Sequence, residues 1–283
     1  MDLDVRYRAF IEAIGQLRPR LHRYCARMTG SALDGEDVVQ EALIAAYRKL
    51  EAFDAERPMG PWLFRIAHNR CLDFLRRRRA RRRAEAGAPT AGTVAPPAAE
   101  GSDVLRAVEH LVTRLPPMER ACVLLKDVLD HTLEETAEVT GSTVGGVKAA
   151  LHRARAKLGP GAPPAPARVA VPDLLRVYVE RFSRQDWDGV RALVADDAQL
   201  RVVDRCEGPL SESRYFENYA RLPGPWHLTA GIVDGEAVAL LWREPGRPDT
   251  VVRLALRDGR IAGITDYAHC AWVLPGAGAV AVC

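Results

Sequence analysis

Two stretches rich in proline and small residues decide what this chain can fold into, because neither can join a packed element. Gly159–Val171 (GPGAPPAPARVAV) carries four prolines, which exclude helix and favour an extended spacer. Ala84–Ser102 (AEAGAPTAGTVAPPAAEGS) has Val94 as its one large apolar residue and shows no periodicity. They cut the 283 residues into blocks 1–83, 103–158 and 172–275, with a small-residue tail. A hydrophobic content of 48% lets the blocks bury cores.

Charge divides along the same lines. From Pro172 onward there are 13 arginines and no lysine against 16 acidic residues, a balance of −3. The preceding residues hold 27 basic and 21 acidic side chains, a balance of +6. The N-terminal portion is therefore the expected polyanion binder. The opening Met1-Asp-Leu-Asp is acidic where a secretion signal is basic, and runs such as Val238–Trp242 fall far short of the ~20 apolar residues of a spanning helix. A cytoplasmic protein without membrane contact is expected. Cys25, Cys71, Cys122, Cys206, Cys270 and Cys283 are scattered without CxxC or metal-ligand spacing. They read as inert thiols, with a Cys206–Cys270 pair left open, and neither a metal nor another cofactor is expected.

The first two blocks read as all helix. Val38, Val39, Ala42, Leu43, Ala46, Tyr47 and Leu50 recur at helical spacing over Asp37–Leu50, behind an acidic start (Asp34, Glu36, Asp37) that suits the helix dipole. A second long helix opens at Pro61, carries Leu63, Ile66, Ala67, Cys71, Phe74 and Leu75 inward, and ends in Arg76–Arg83, seven arginines in eight residues. If all seven met phosphates, affinity would follow salt with a log–log slope near ~−6 and no sequence preference.

Thr132–Leu158 predicts a helix-turn-helix. Thr132 and Glu135 form a capping box, Gly141 breaks the first helix, and Ser142 or Thr143 caps a second one from Val144 to about Leu158. Ala137, Gly141 and Val147 stand where this motif needs a small residue, a turn and an apolar wedge. A helix docked in the major groove offers its first turns to bases and its later cations to phosphates. That makes Thr143, Lys148, His152, Arg153 and Arg155 the candidate DNA contacts; Lys157 is a further cation there.

Together these blocks resemble the extracytoplasmic-function class of bacterial sigma factors. Asp37-Val-Val-Gln-Glu41 is similar to its DxVQE stretch, and Pro61-Trp-Leu-Phe-Arg-Ile-Ala-His-Asn69 with Leu72-Asp73-Phe-Leu-Arg76 to its WLxRIAxNxxLDxLR stretch. Leu115-Pro-Pro-Met-Glu-Arg120 and the helix-turn-helix through Arg155 resemble its second domain. The resemblance implies that Asp37, Gln40 and Glu41 dock on the clamp helices of the polymerase β′ subunit. It implies that the loop Phe53–Gly60 and the helix after it face the minus-ten element. There Asn69 would hydrogen-bond an extruded base, and Arg65, Arg70 and Arg76 would hold the adjacent backbone, while Trp62 is expected in the core. The helix-turn-helix would read the minus-thirty-five element of promoter DNA. Lys148-Ala149-Ala150 replaces the family's usual Lys-Ser-Arg, and Gly145-Gly146 loosens the helix start, so the promoter sequence is not predicted.

The third block reads as α+β: helices over Asp173–Phe182 and Trp187–Leu193, then strands over Gln199–Val203, His227–Val233, Ala237–Trp242, Val251–Leu256 and Ile261–Asp266. Asp234-Gly235 and Asp258-Gly259 are hairpin signals. Asp173–Ala198 followed by strands resembles the SnoaL-like family, a cone of curved antiparallel sheet around a helix-lined pocket. The fold class expected is thus multidomain: two all-α domains, then a cone-shaped α+β domain. In sigma factors so extended, the resemblance implies intramolecular modulation in place of a separate anti-sigma protein. Asp204, His227 and Tyr267 are the candidate pocket residues, with Asp266 and His269 as further polar groups. Each also reads as structural or surface, so no catalytic residue is expected. Trp187, Trp226, Trp242 and Trp272 are expected in the core or lining the cone. Two other readings fit parts of the chain: an operator-binding regulator, which leaves Asp37–Arg83 without a task, and an enzyme active in its isolated third block.

Overall fold

The computed structural model describes residues 3–54, 56–85, 114–158 and 169–283. The spacer Ala84–Ser102 from 86 onward, and Gly159–Val171 up to 168, lie outside the described residues. The described residues divide into a helical unit up to Leu158 and an α+β unit after it.

In the helical unit, α1 (Leu3–Thr29), α2 (Ala32–Tyr47) and α3 (Met59–Glu85) pack on one another, with a 3₁₀ turn at Leu50–Ala52. The α2 helix starts five residues before the predicted Asp37. Ser31 ends the preceding turn in extended geometry, and its hydroxyl accepts from the Asp34 amide at 3.2 Å. Such a cap contributes about 1 kcal/mol. Four residues after Ser31, Gly35 lets α2 lie against α1. A Cβ there would stand 2.5 Å from the Ala26 nitrogen and 2.6 Å from its Cα, closer than van der Waals contact allows.

The predicted inward residues Leu63, Ala67 and Cys71 are buried, and Ile66, Phe74 and Leu75 are half-buried. Phe64 and His68, which the single-stripe reading left out, lie deeper: α1 and α2 cover α3 on one side and the first helix of the helix-turn-helix on another, so its buried arc is wide. Tyr24 and His68 share a hydrogen bond of 2.7 Å between Oη and Nδ1, and burial pushes the His68 imidazole down to about 4, leaving it neutral at pH 7. Tyr47, expected inward, is 58% exposed and meets the rings of Tyr7 and Phe10.

The second helical block follows as α4 (Pro117–Val123), a π-type turn at Leu124–Val128, α5 (Leu133–Thr140) and α6 (Val144–Lys157). One continuous apolar core runs through both blocks. Arg20 Nη2 donates to the Leu129 carbonyl at 2.7 Å and Arg120 Nη1 to the Met28 carbonyl at 2.6 Å. The Phe64 ring sits edge-on to His131 at 4.8 Å, and Arg57 pairs with Glu138. These polar contacts and the aromatic pair flank the shared apolar core.

The α+β unit comprises α7 (Asp173–Ser183), α8 (Trp187–Ala192), β1 (Val194–Val202), β2 (Cys206–Pro209), α9 (Tyr215–Ala220), β3 (His227–Val233), β4 (Glu236–Trp242), β5 (Thr250–Arg257), β6 (Arg260–Asp266), α10 (Val273–Gly276) and β7 (Val280–Val282). The strands form one sheet in the order β2-β1-β6-β5-β4-β3-β7. The expected hairpin turns are present: Asp234 and Gly235, and Asp258 and Gly259, all have positive φ between paired strands. The strand Cys206–Pro209 and the helix Tyr215–Ala220 were not expected, and two features of the sheet's pairing differ from expectation. The β1–β6 pair is parallel in an otherwise antiparallel sheet, and the tail beyond 275 supplies β7, paired with β3. Leu228, Ala230, Ala239, Leu241 and Val252 pack with Leu175, Tyr178, Phe182 and Val190 of the helices.

Candidate nucleic-acid and polymerase interface

The helix-turn-helix has the geometry its sequence predicts. The Thr132 hydroxyl accepts from the Glu135 amide at 3.0 Å and the Glu135 carboxylate accepts from the Thr132 amide at 2.7 Å. Gly141 ends α5 in the left-handed conformation at φ 65°, and Ala137 and Val147 are buried where the two helices cross. Thr143, not Ser142, caps α6, accepting from the Gly146 amide at 3.1 Å.

The cations of α6 fall into two groups. Arg153 and Lys157 donate to the two oxygens of Glu119 on α4, at 3.1 and 2.8 Å, and Arg155 donates to Asp127 at 2.8 Å. The Lys157 hydrogen bond, with Arg153, holds the Glu119 carboxyl below its ordinary range despite burial. Thr143, Lys148 and His152 are exposed. Sequence reasoning did not find the Glu119 and Asp127 clamps, because both acids lie outside the motif and meet α6 only through the fold. Arg153 and Arg155 are thus tethered from within, and the exposed polar side chains left on α6 and its cap are Thr143, Lys148 and His152, with Lys148 alone between Gly145 and Ala149.

On α3, Arg65 and Asn69 point outward, Arg70 is half-buried, and Arg76 is exposed and paired with Asp73 at 2.9 Å. Trp62 is half-buried against Phe53, ring centroids 4.5 Å apart, as expected of a core residue. On α2, Asp37 and Gln40 are half-buried, while Glu41 is exposed and pairs with Arg77 of α3 at 3.3 Å. Ile44 on the same face is 54% exposed. An open groove of about 310 Å³ beside it is lined by Glu41, Ile44, Ala45, Arg48, Lys49 and Arg70. Sequence reasoning missed Ile44, although its position three residues after Glu41 already put it on the outer face.

The three residues expected to share a pocket do not converge. Asp204 is exposed in the β1–β2 turn and His227 is exposed at the start of β3, stacked on Trp242; β6, β5 and β4 intervene between β1 and β3. Tyr267 is buried beyond the end of β6. The buried polar centre of this unit is Asp266 instead. It accepts from Tyr219 Oη at 2.6 Å, Tyr215 Oη at 2.9 Å and the Ala268 amide at 2.8 Å. Burial raises its carboxyl above the ordinary carboxylate range, opposed by these hydrogen bonds. Phe182 lies nearby at the middle of an aromatic cluster with Tyr178, Trp187, Tyr219 and Trp226.

Residues 13–81 match the Sigma-70 region 2 family and residues 105–158 match Sigma-70, region 4. The ECF RNA polymerase sigma factor SigG of Mycobacterium tuberculosis is 32% identical over 213 residues, 64% of this chain and 58% of that protein. The chain thus spans little more than half the length of this relative. SigW of Bacillus subtilis, also an ECF RNA polymerase sigma factor, is 30% identical over 164 residues, 53% of this chain and 87% of that protein. Among solved structures, the extracytoplasmic function sigma factor SigJ of Mycobacterium tuberculosis aligns over 95% of this chain and 99% of that one, with 20% identity and a TM-score of 0.39. Among the described residues, no helix is long and apolar enough to cross a membrane. With both sigma regions matched in order and the Bacillus relative covered over most of its length, this chain belongs to the ECF family of RNA polymerase sigma factors.

Proposed function

We propose that this chain directs core RNA polymerase to specific promoters in the cytoplasm and initiates transcription, and that residues 172–275 modulate that activity. The observation that carries the reading is two separate exposed polar surfaces in one helical unit: the outward side of α3 with Arg65 and Asn69, and the exposed part of α6 with Thr143, Lys148 and His152. In this reading residues 1–83 bind polymerase and open the minus-ten element, and residues 103–158 read the minus-thirty-five element. An extruded base needs a polar partner off the stack, and Asn69 offers both a donor and an acceptor. Arg65, Arg70 and Arg76 then neutralise flanking phosphates. On α6, Lys148 and His152 meet base edges and phosphates, while Arg153 and Arg155 act as much through their clamps to Glu119 and Asp127 as through DNA.

The polymerase-facing surface is the outer side of α2: Asp37, Gln40 and Glu41 with the exposed Ile44. An exposed large apolar side chain ringed by charges suits the β′ clamp helices. The docked arrangement of the two helical blocks is that of the free chain; it parts on polymerase, where the two promoter elements are a spacer apart. In this reading the third domain acts through its acidic balance of −3, and the buried Asp266, held by Tyr215, Tyr219 and the Ala268 amide, orders its core.

Ile44→Asp tests the polymerase assignment. It puts a charge into the centre of the contact and should weaken core-polymerase binding at least ~10-fold, a loss of about 1.4 kcal/mol or more. Because Ile44 is exposed, the melting temperature should stay the same. Unchanged affinity in a titration of labelled protein against core polymerase would place that contact elsewhere.

A further inference from the structure

We propose that Glu119 withholds Arg153 and Lys157 from promoter DNA, so that the helix-turn-helix grips the duplex from one flank of α6. The inference rests on the promoter-directing reading above and deepens it, dividing the cations of α6 between DNA and the protein itself.

Helical phase sorts those cations first. Lys148, His152 and Arg155 are four and three residues apart and share one flank of α6. Arg153 follows Lys148 by five residues, which places it about 140° further round the helix. Lys157 lies four residues beyond Arg153, on the same second flank. The exposed positions between the flanks include Gly145, Ala149 and Ala156, which carry no charge.

The two flanks meet different acids. Arg155 has Asp127 to itself, in a pair open to water, with the two side chains 61% and 33% exposed. Such a pair contributes little and yields readily to a phosphate. Arg153 and Lys157 instead share Glu119, each on one carboxylate oxygen, at 3.1 and 2.8 Å, and only 7% of that acid's side chain is exposed. These two cations are the carboxylate's only partners among the described residues. Its place is fixed from both sides. Ala121, Cys122 and Val123 of α4 are buried in the shared core, and Arg120 is bonded to the Met28 and Leu115 carbonyls.

If both cations left for phosphates, a buried carboxylate would stay behind unpaired, which is strongly unfavourable. It stays ionised at pH 7, since the Lys157 bond, with Arg153, holds its carboxyl below the ordinary range. Two like charges four apart would also repel, and the carboxylate shared between them removes that cost. Glu119 thus takes the place a phosphate would occupy on that flank. It is a positioning residue, acting on DNA through the two cations it holds.

The test measures the affinity of holoenzyme with core polymerase for a promoter fragment and for an unrelated fragment, between about 50 and 200 mM salt. Each phosphate contact contributes about 0.9 to the log–log dependence of affinity on salt. Glu119→Gln keeps the shape and removes the charge. It should tighten binding to both fragments and steepen the slope by about 1.8, a gain roughly tenfold larger at the low-salt end. Lys157→Gln should keep the wild-type slope, and in the Glu119→Gln background should take back about 0.9 of the steepening. Flattening by Lys157→Gln with Glu119 in place would put Lys157 on a phosphate already and overturn the proposal, whether or not Glu119→Gln folds. Weaker binding or an unchanged slope for Glu119→Gln at the wild-type melting temperature would overturn it too. Wild-type protein that forms no holoenzyme contradicts instead the promoter-directing reading beneath it.

Discussion

Replacing Gly35 by alanine should lower the melting temperature of this protein by roughly 4–8 °C. The new Cβ would stand 2.5 Å from the Ala26 nitrogen, an atom of α1 backbone that cannot swing aside, so α1 and α2 must separate. Forcing an extra carbon into a packed interface costs about 1–3 kcal/mol, and alanine returns up to about 1 kcal/mol through its better helix propensity. A net loss near 2 kcal/mol corresponds to the stated shift for a unit of this size. The same substitution at Gly15 on α1, where nothing lies within 4 Å, should leave stability unchanged or raise it slightly. Calorimetry on the two variants checks the contrast; equal melting temperatures would mean that the α1–α2 approach is not what holds this unit together.

Asn69→Ala should slow promoter opening by tenfold to a hundredfold, roughly, and leave core-polymerase affinity within about twofold of wild type. A side chain that holds an extruded base contributes about 1–3 kcal/mol, which converts to that range. Asn69 is exposed, so its loss should not disturb the fold. Permanganate footprinting of melted thymines, read beside a polymerase-binding titration, separates the two effects. Parallel loss of both would remove Asn69 from the opening step.

What could be read in advance was local. The Thr132/Glu135 capping box, the left-handed Gly141 and the Asp-Gly hairpins are decided by a few adjacent residues, and each stands as expected. What could not be read depended on distant partners. Phe64 is buried between Tyr24 of α1 and His131 of the second helical block, and His68 against Tyr24, partners that periodicity along α3 cannot reveal. Tyr215 and Tyr219 became visible as ligands of Asp266 only when a short helix, not foreseen, brought them across 47–51 residues of chain. The internal tethering of Arg153 and Arg155 escaped for the same reason: counting cations on a helix says nothing about acids on its neighbours. Among the candidate DNA contacts, the exposure of Arg65, Asn69, Lys148 and His152 follows from helical phase, whereas the candidate pocket rested on residue types alone, and Asp204, His227 and Tyr267 turned out to lie apart.

The positive balance of the helical portion, +6 against −3 after Pro172, fits a division between a part that grips nucleic acid and a part that does not. Run-off transcription with purified core polymerase tests the central claim most directly. Transcripts should start at discrete promoters only when this protein is added, in an amount that changes when residues 172–283 are removed. Core polymerase that remains as silent with the protein, full-length or shortened, as without it would contradict the account.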